Sequence, residues 1–178
     1  MTTPRVGAAE LIKRGVIAGA AGGFAEIVWV SLYATITGGD AALLARGVTT
    51  AAGVTALLPA APVTVGIVVH MVLAVLLGIA LACLWQALAR RGVATGGLMV
   101  VTLAALVGVW ATNFFVILPV LSPAFIALIP YPVSLLSKLL FGLAAAETLR
   151  RSAAEEAVDF ASPVRVRVAS NRKPPPSR

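Results

Sequence analysis

Residues Gly15–Thr37 read GVIAGAAGGFAEIVWVSLYATIT, with Glu26 the only acidic or basic side chain and no proline. At about 1.5 Å of rise per residue this run makes a helix of roughly 34 Å, enough to cross a hydrocarbon core of about 30 Å. A helix at a water interface keeps a polar face; one that is apolar all round lies in an apolar medium. The one distinct face here is made of small residues. Gly15, Gly19 and Gly23 recur at spacing four with Gly22 beside them, so a second helix can approach closely.

Working outward, three more apolar runs follow, Thr64–Leu88, Ala94–Leu118 and Pro132–Leu149, the last being the shortest. Hydrophobic residues are 60% of the chain and charged residues 12%, against roughly 45–50% and 25% in soluble domains. The expected fold is all-α: a polytopic membrane protein with four transmembrane helices. Residues 1–151 form the membrane domain, and 152–178 a basic tail expected to be disordered, since it lacks the apolar content for a core. A cleaved signal peptide would need an apolar stretch of only about 7–15 residues. The first run is longer and carries Glu26, so it reads as a retained helix.

Basic residues set the orientation. Arg5, Lys13 and Arg14 precede the first span, Arg90 and Arg91 separate the second from the third, and Arg150 and Arg151 follow the fourth. The Gly38–Val63 connection has only Arg46, and Pro119–Tyr131 has no basic residue. Four crossings put every basic cluster on one side, so both termini are expected in the cytoplasm of a bacterial inner membrane. The net charge of +7 is thereby an orientation signal. No basic stripe interleaved with aromatics marks a nucleic-acid face, and the basic end of the tail suits anionic lipid.

The far-side connections carry their own signals. Asp40 is placed to cap a short helix over Ala41–Ala45. PVLSPAFIALIPYP (Pro119–Pro132) holds four prolines and no charge, and reads as a packed cap or a gate. The halves also share a faint repeat, a Trp fourteen residues after a Gly (Gly15 to Trp29, Gly96 to Trp110), of the kind some transporters duplicate. Too few identities support it to decide the matter.

The second span has its own small-residue row, Gly66, His70, Ala74, Gly78 and Ala82. Counting rise from the span ends places Glu26 about 16 Å deep, His70 and Lys138 about 9 Å below the far surface, and Asn113 about 7–8 Å below it. One polar side chain per span thus falls in the same half of the bilayer. An unpaired charge at mid-span costs roughly 2.5–3.5 kcal/mol on the lenient insertion scale, and a Glu26–Lys138 pair would offset much of that. Two readings stay open. Glu26, His70, Asn113 and Lys138 line a polar cavity for a proton, ion or small solute, or they form a structural pair with interhelical hydrogen-bonding groups. Glu147, with Arg150 and Arg151 at spacing three and four, reads as an interfacial ion pair.

Enzyme chemistry finds no support. HExxH, GxSxG and a phosphate-binding glycine loop are absent from the sequence. One cysteine, Cys83, and one histidine make neither a disulfide nor a metal cage. No catalytic residue, metal or cofactor is expected.

His70 followed by Gly78, Asn113 shortly before Pro119, the proline-rich connection and SKLLFGLAAAETLRR (Ser137–Arg151) together resemble the small bacterial inner-membrane proteins of the YagU-like type. Those proteins typically carry a histidine after the Phe-Gly pair, where this chain has Leu143, and an acidic residue in place of Lys138. The resemblance implies a four-helix inner-membrane fold and no assigned activity. The functional expectation is an accessory or structural protein that packs through its glycine faces, within the chain or in a homo-oligomer or larger membrane complex. The alternative is a small permease or a proton- or ion-conducting protein.

Overall fold

The computed structural model describes residues 7–170. Among them every regular element is helical: α1 (Ala8–Thr37), α2 (Ala41–Ala51), α3 (Pro62–Ala89), α4 (Thr95–Thr112), a π-helical turn (Asn113–Ile117), α5 (Leu118–Leu121), α6 (Pro123–Ile126) and α7 (Tyr131–Ser170). Four stretches are long and apolar enough to cross a membrane: α1, α3, the continuous α4–π–α5 rod, and α7 as far as Glu155.

The distribution of side chains identifies the solvent. The buried face of α1 consists of Gly15, Ala18, Gly19, Gly22, Gly23, Glu26 and Ala34, while Val16, Ile17, Phe24, Val28, Leu32 and Ile36 lie on its exposed side. Large apolar groups point outward on α3 and the third span as well, with Val120 reaching 80% exposure. A surface so continuously apolar would aggregate in water. It is the surface of a multi-pass membrane protein.

Glycine decides which helices meet. A Cβ on Gly15 would lie 2.5 Å from the Ile79 Cα, and one on Gly19 would lie 2.7 Å from the Val75 Cα. One on Gly78 would collide with Gly19 N and Gly15 O. A Cβ on Gly22 would strike the Phe141 ring, and one on Gly23 the Ala74 methyl, each at 2.7 Å. α1 therefore sits between α3 and α7, against the backbone of the first and the Phe141 ring of the second. α4 packs mainly on α7, where Gly142 admits Leu103 and Leu106. The glycine faces are thus occupied within the chain. The glycines of the faint internal repeat are not equivalent, because Gly15 is wedged against α3 while Gly96 has nothing within 4 Å of its would-be Cβ.

The connection after α1 turns at Gly38, whose φ of 71° is the left-handed conformation that ends many helices; its N–H and that of Gly39 both reach Ala34 O. Asp40 then caps α2, its carboxylate accepting from Ala42 N at 2.8 Å and from Arg46 at 2.9 Å. The helix it starts runs to Ala51, longer than the cap alone implies. α2 lies on α3, with Ala45 O over Gly66 and the Thr49 hydroxyl donating to Pro62 O at 2.6 Å. The proline-rich segment folds as α5 and α6, packing Phe125 and Leu128 over Gly47 of α2 and burying Ile129 beneath. It forms a packed cap.

At the other end α7 continues as a helix to Ser170, through much of the segment for which the composition suggests no fixed structure. Lack of apolar content argues against a core, but Ala153, Ala154 and Glu155 are strong helix formers. The remainder of that tail, 171–178, lies outside the described residues, as does Arg5.

Candidate functional site

The site begins with one buried carboxylate. Glu26 follows Gly22 and Gly23 on the close-packed face of α1, so the contacts that seal those glycines against α3 and α7 also enclose it, and it is only 4% exposed. Lys138 of α7 reaches it from the side with Nζ 2.8 Å from Oε1 and 3.0 Å from Oε2. The Ser137 hydroxyl donates to Oε1 at 3.0 Å. On the α3 side His70 Nε2 stands 3.7 Å from Oε2 and 3.3 Å from the Gly23 carbonyl oxygen. Three helices thus converge on one anion, and both of its oxygens have donors.

Exposure falls off steeply through this group. His70 and Lys138 keep 25% and 20% of their side chains accessible, and Ser137 is buried. The Lys138 ammonium also lies 5.5 Å from the centroid of the Phe141 ring, within range of a cation–π contact. That ring is the floor of the site. Beyond it toward the paired arginines come Ala18, Leu81, Ala82, Trp85, Leu98, Ala145, Ala146 and Leu149, one continuous apolar cluster. No protein family model, curated protein or solved structure matches this chain. What the site does must be argued from its own geometry.

Of the four side chains singled out by depth, the structure brings together Glu26, His70 and Lys138. Asn113 does not join them. It is half-buried at the start of the π turn on α4, and α4 meets the bundle chiefly through α7, away from α1. Depth from sequence gives height along the membrane normal, not direction around the helix. The residue that sequence reasoning missed is Ser137. Its signal was position: Ser134, Ser137, Phe141 and Ala145 fall at spacings of three and four, forming the buried stripe of α7.

Two indole hydrogen bonds brace the start of α7 above the site. Trp29 Nε1 donates to Val133 O at 3.0 Å, and Trp110 Nε1 donates to the Ser134 hydroxyl at 3.0 Å. Around Trp110 the rings of Phe114, Phe115 and Tyr131 stack edge and face on one another. Glu147 pairs with Arg150 and Arg151, each at 2.7 Å, on an exposed surface.

Proposed function

We propose that this chain is an accessory or structural protein of the bacterial inner membrane, with both termini cytoplasmic, and that its polar cluster is an interhelical lock. One observation carries the reading: the cluster ends on an apolar plug. A conduit needs polar groups or room for water on both sides of its ion pair, whereas below Phe141 the bundle closes mainly with alanine, leucine and tryptophan side chains; the buried Thr102 hydroxyl there is spent on Leu98 O, and Gln86 lies near the paired-arginine end. A carboxylate with donors on both oxygens, at the meeting point of α1, α3 and α7, suits fixing the register of three helices. Because the glycine faces are filled inside the chain, a partner or second copy would meet other surfaces. Kinship with the YagU-like proteins is part of the same proposal, supported by the motifs of the last three spans. Lys138, where those proteins tend to be acidic, would make the lock a feature of this chain.

The alternative of a small permease or proton-conducting protein is favoured by one observation, the partly exposed imidazole beside a buried carboxylate. A double-mutant cycle separates the two. In the lock, Glu26→Gln and Lys138→Met each strand a buried polar partner and cost about 3 kcal/mol or more. The double variant regains most of that loss, as read from unfolding in mild detergent. Additive losses, or proton flux into liposomes that the double variant abolishes without a change in stability, would defeat the lock.

A further inference from the structure

We propose that Arg90 and Arg91, at the turn from α3 into α4, hold the phosphate of an anionic phospholipid whose acyl chains lie along the exposed face of α3. The inference goes beyond the interhelical lock and does not depend on it. It starts from charge. Between Lys13 and Arg151 every other cation stands beside a carboxylate: Lys13 and Arg14 with Glu10, Arg46 with Asp40, Lys138 with Glu26, and Arg150 and Arg151 with Glu147. Arg90 and Arg91 are both exposed and pair with no carboxylate among the described residues. The backbone does not neutralise them either, because the end of α3 carries about half a negative charge and the start of α4 about half a positive one. Two positive charges are left facing outward where α3 and α4 leave the membrane.

The surface that leads to them supplies the matching apolar half. Ala80, Cys83 and Ala87 are all exposed and recur at spacings of three and four, and the next step of three is Arg90. From Arg90 to Ala80 the rise is about 15 Å, one leaflet of a hydrocarbon core of about 30 Å. Across that depth the stripe is made of small side chains, so an acyl chain can lie close to the backbone of α3. At the neighbouring start of α4, Gly96 leaves open space where a Cβ would be. An acidic peptide or a free phosphate would answer the arginines and leave the stripe bare. A zwitterionic lipid would cover the stripe but bring its own ammonium to the arginines. An anionic phospholipid answers both, and the guanidinium fork binds phosphate oxygens two at a time.

The chain has a single cysteine, Cys83, exposed on this stripe, so a fluorophore attached there reads the neighbouring lipid without other changes. In phosphatidylcholine vesicles, dibromo-acyl phosphatidylglycerol should quench it more strongly than dibromo-acyl phosphatidylcholine at the same mole fraction. The preference in relative association should be about fivefold if one arginine engages and about 30-fold if both do, at about 1 kcal/mol each. Arg90→Gln/Arg91→Gln should bring the two lipids level and leave quenching by the brominated phosphatidylcholine unchanged. Arg150→Gln/Arg151→Gln, whose arginines are already spent on Glu147, should keep the preference. Salt at about 1 M, where the Debye length falls to about 3 Å, should shrink the preference in the unchanged protein, a reading that needs no variant to fold. Equal quenching by the two lipids in the unchanged protein, or a preference that ignores salt, would overturn the site. So would a preference that survives the loss of Arg90 and Arg91, or that falls equally on the loss of Arg150 and Arg151. None of these outcomes bears on the double-mutant cycle at Glu26 and Lys138, so the lock stands or falls separately.

Discussion

Ser137 donates to a carboxylate that also holds a lysine, so its hydroxyl is the part of the lock whose removal leaves the charges balanced. Ser137→Ala should keep the fold and lose about 1 kcal/mol, the scale of interhelical hydrogen bonds in membranes, read from unfolding in detergent. A loss as large as that of Lys138→Met would mean that Ser137, rather than the ion pair, holds α7 to α1. Asn113 supplies the contrast. Its side chain has no part in the cluster, so Asn113→Leu should cost far less than Glu26→Gln or Lys138→Met, since it strands no buried partner. The two residues also show where sequence reasoning reached its limit. Rise per residue puts Glu26, His70 and Lys138 in one half of the membrane, and their juxtaposition follows from the glycine faces beside them. Asn113 has the right depth and the wrong azimuth. Ser137 was hidden because a helical serine is often bonded to its own backbone, as Ser134 is to Tyr131 O.

At the scale of elements, glycine separates what was legible from what was not. The rows on α1 and α3 announce close approach by their spacing alone, since Gly15, Gly19, Gly66 and Gly78 recur at intervals of four or multiples of it, but they do not say which helix fills them. The π turn at Asn113 and the folding of the proline-rich segment into α5 and α6 carry no such periodic mark. The short α2 was announced by Asp40, but its length was set by contacts with α3. These contacts make the glycines unequal. Gly78→Ala would drive a methyl into the backbone of α1 at Gly15 and Gly19, forcing apart two helices that flexible side chains cannot relieve. Gly108→Ala meets nothing within 4 Å. The first should cost about 1–3 kcal/mol, as overpacking does; the second should be neutral or slightly stabilising, because alanine is the better helix former. Equal losses from both would mean that α4 is covered by something at Gly108, a second copy among the candidates, which the oligomeric state of Gly108→Ala would then reveal.

For the whole molecule four helices are long and apolar enough to cross a membrane, and the direction of insertion depends on charge. Lys13, Arg14, Arg90, Arg91, Arg150 and Arg151 gather at one end of the bundle, and Arg46, the one basic residue of the opposite connections, is paired with Asp40. Membrane insertion retains lysine and arginine on the cytoplasmic side, so the capped end formed by α2, α5 and α6 should face outward, and the Glu26 cluster should lie in the outer half of the membrane. With Cys83 changed to Ser, a single cysteine at Leu57, highly exposed between α2 and α3, should react in intact spheroplasts with a maleimide that cannot cross the membrane. A cysteine at Gly92, in the turn between the second and third spans where φ is 81°, strains the backbone, so Arg91 is the better partner position; it should react only after the membrane is opened. Reversed labelling would turn the bundle over and put the Glu26 cluster in the cytoplasmic half of the membrane.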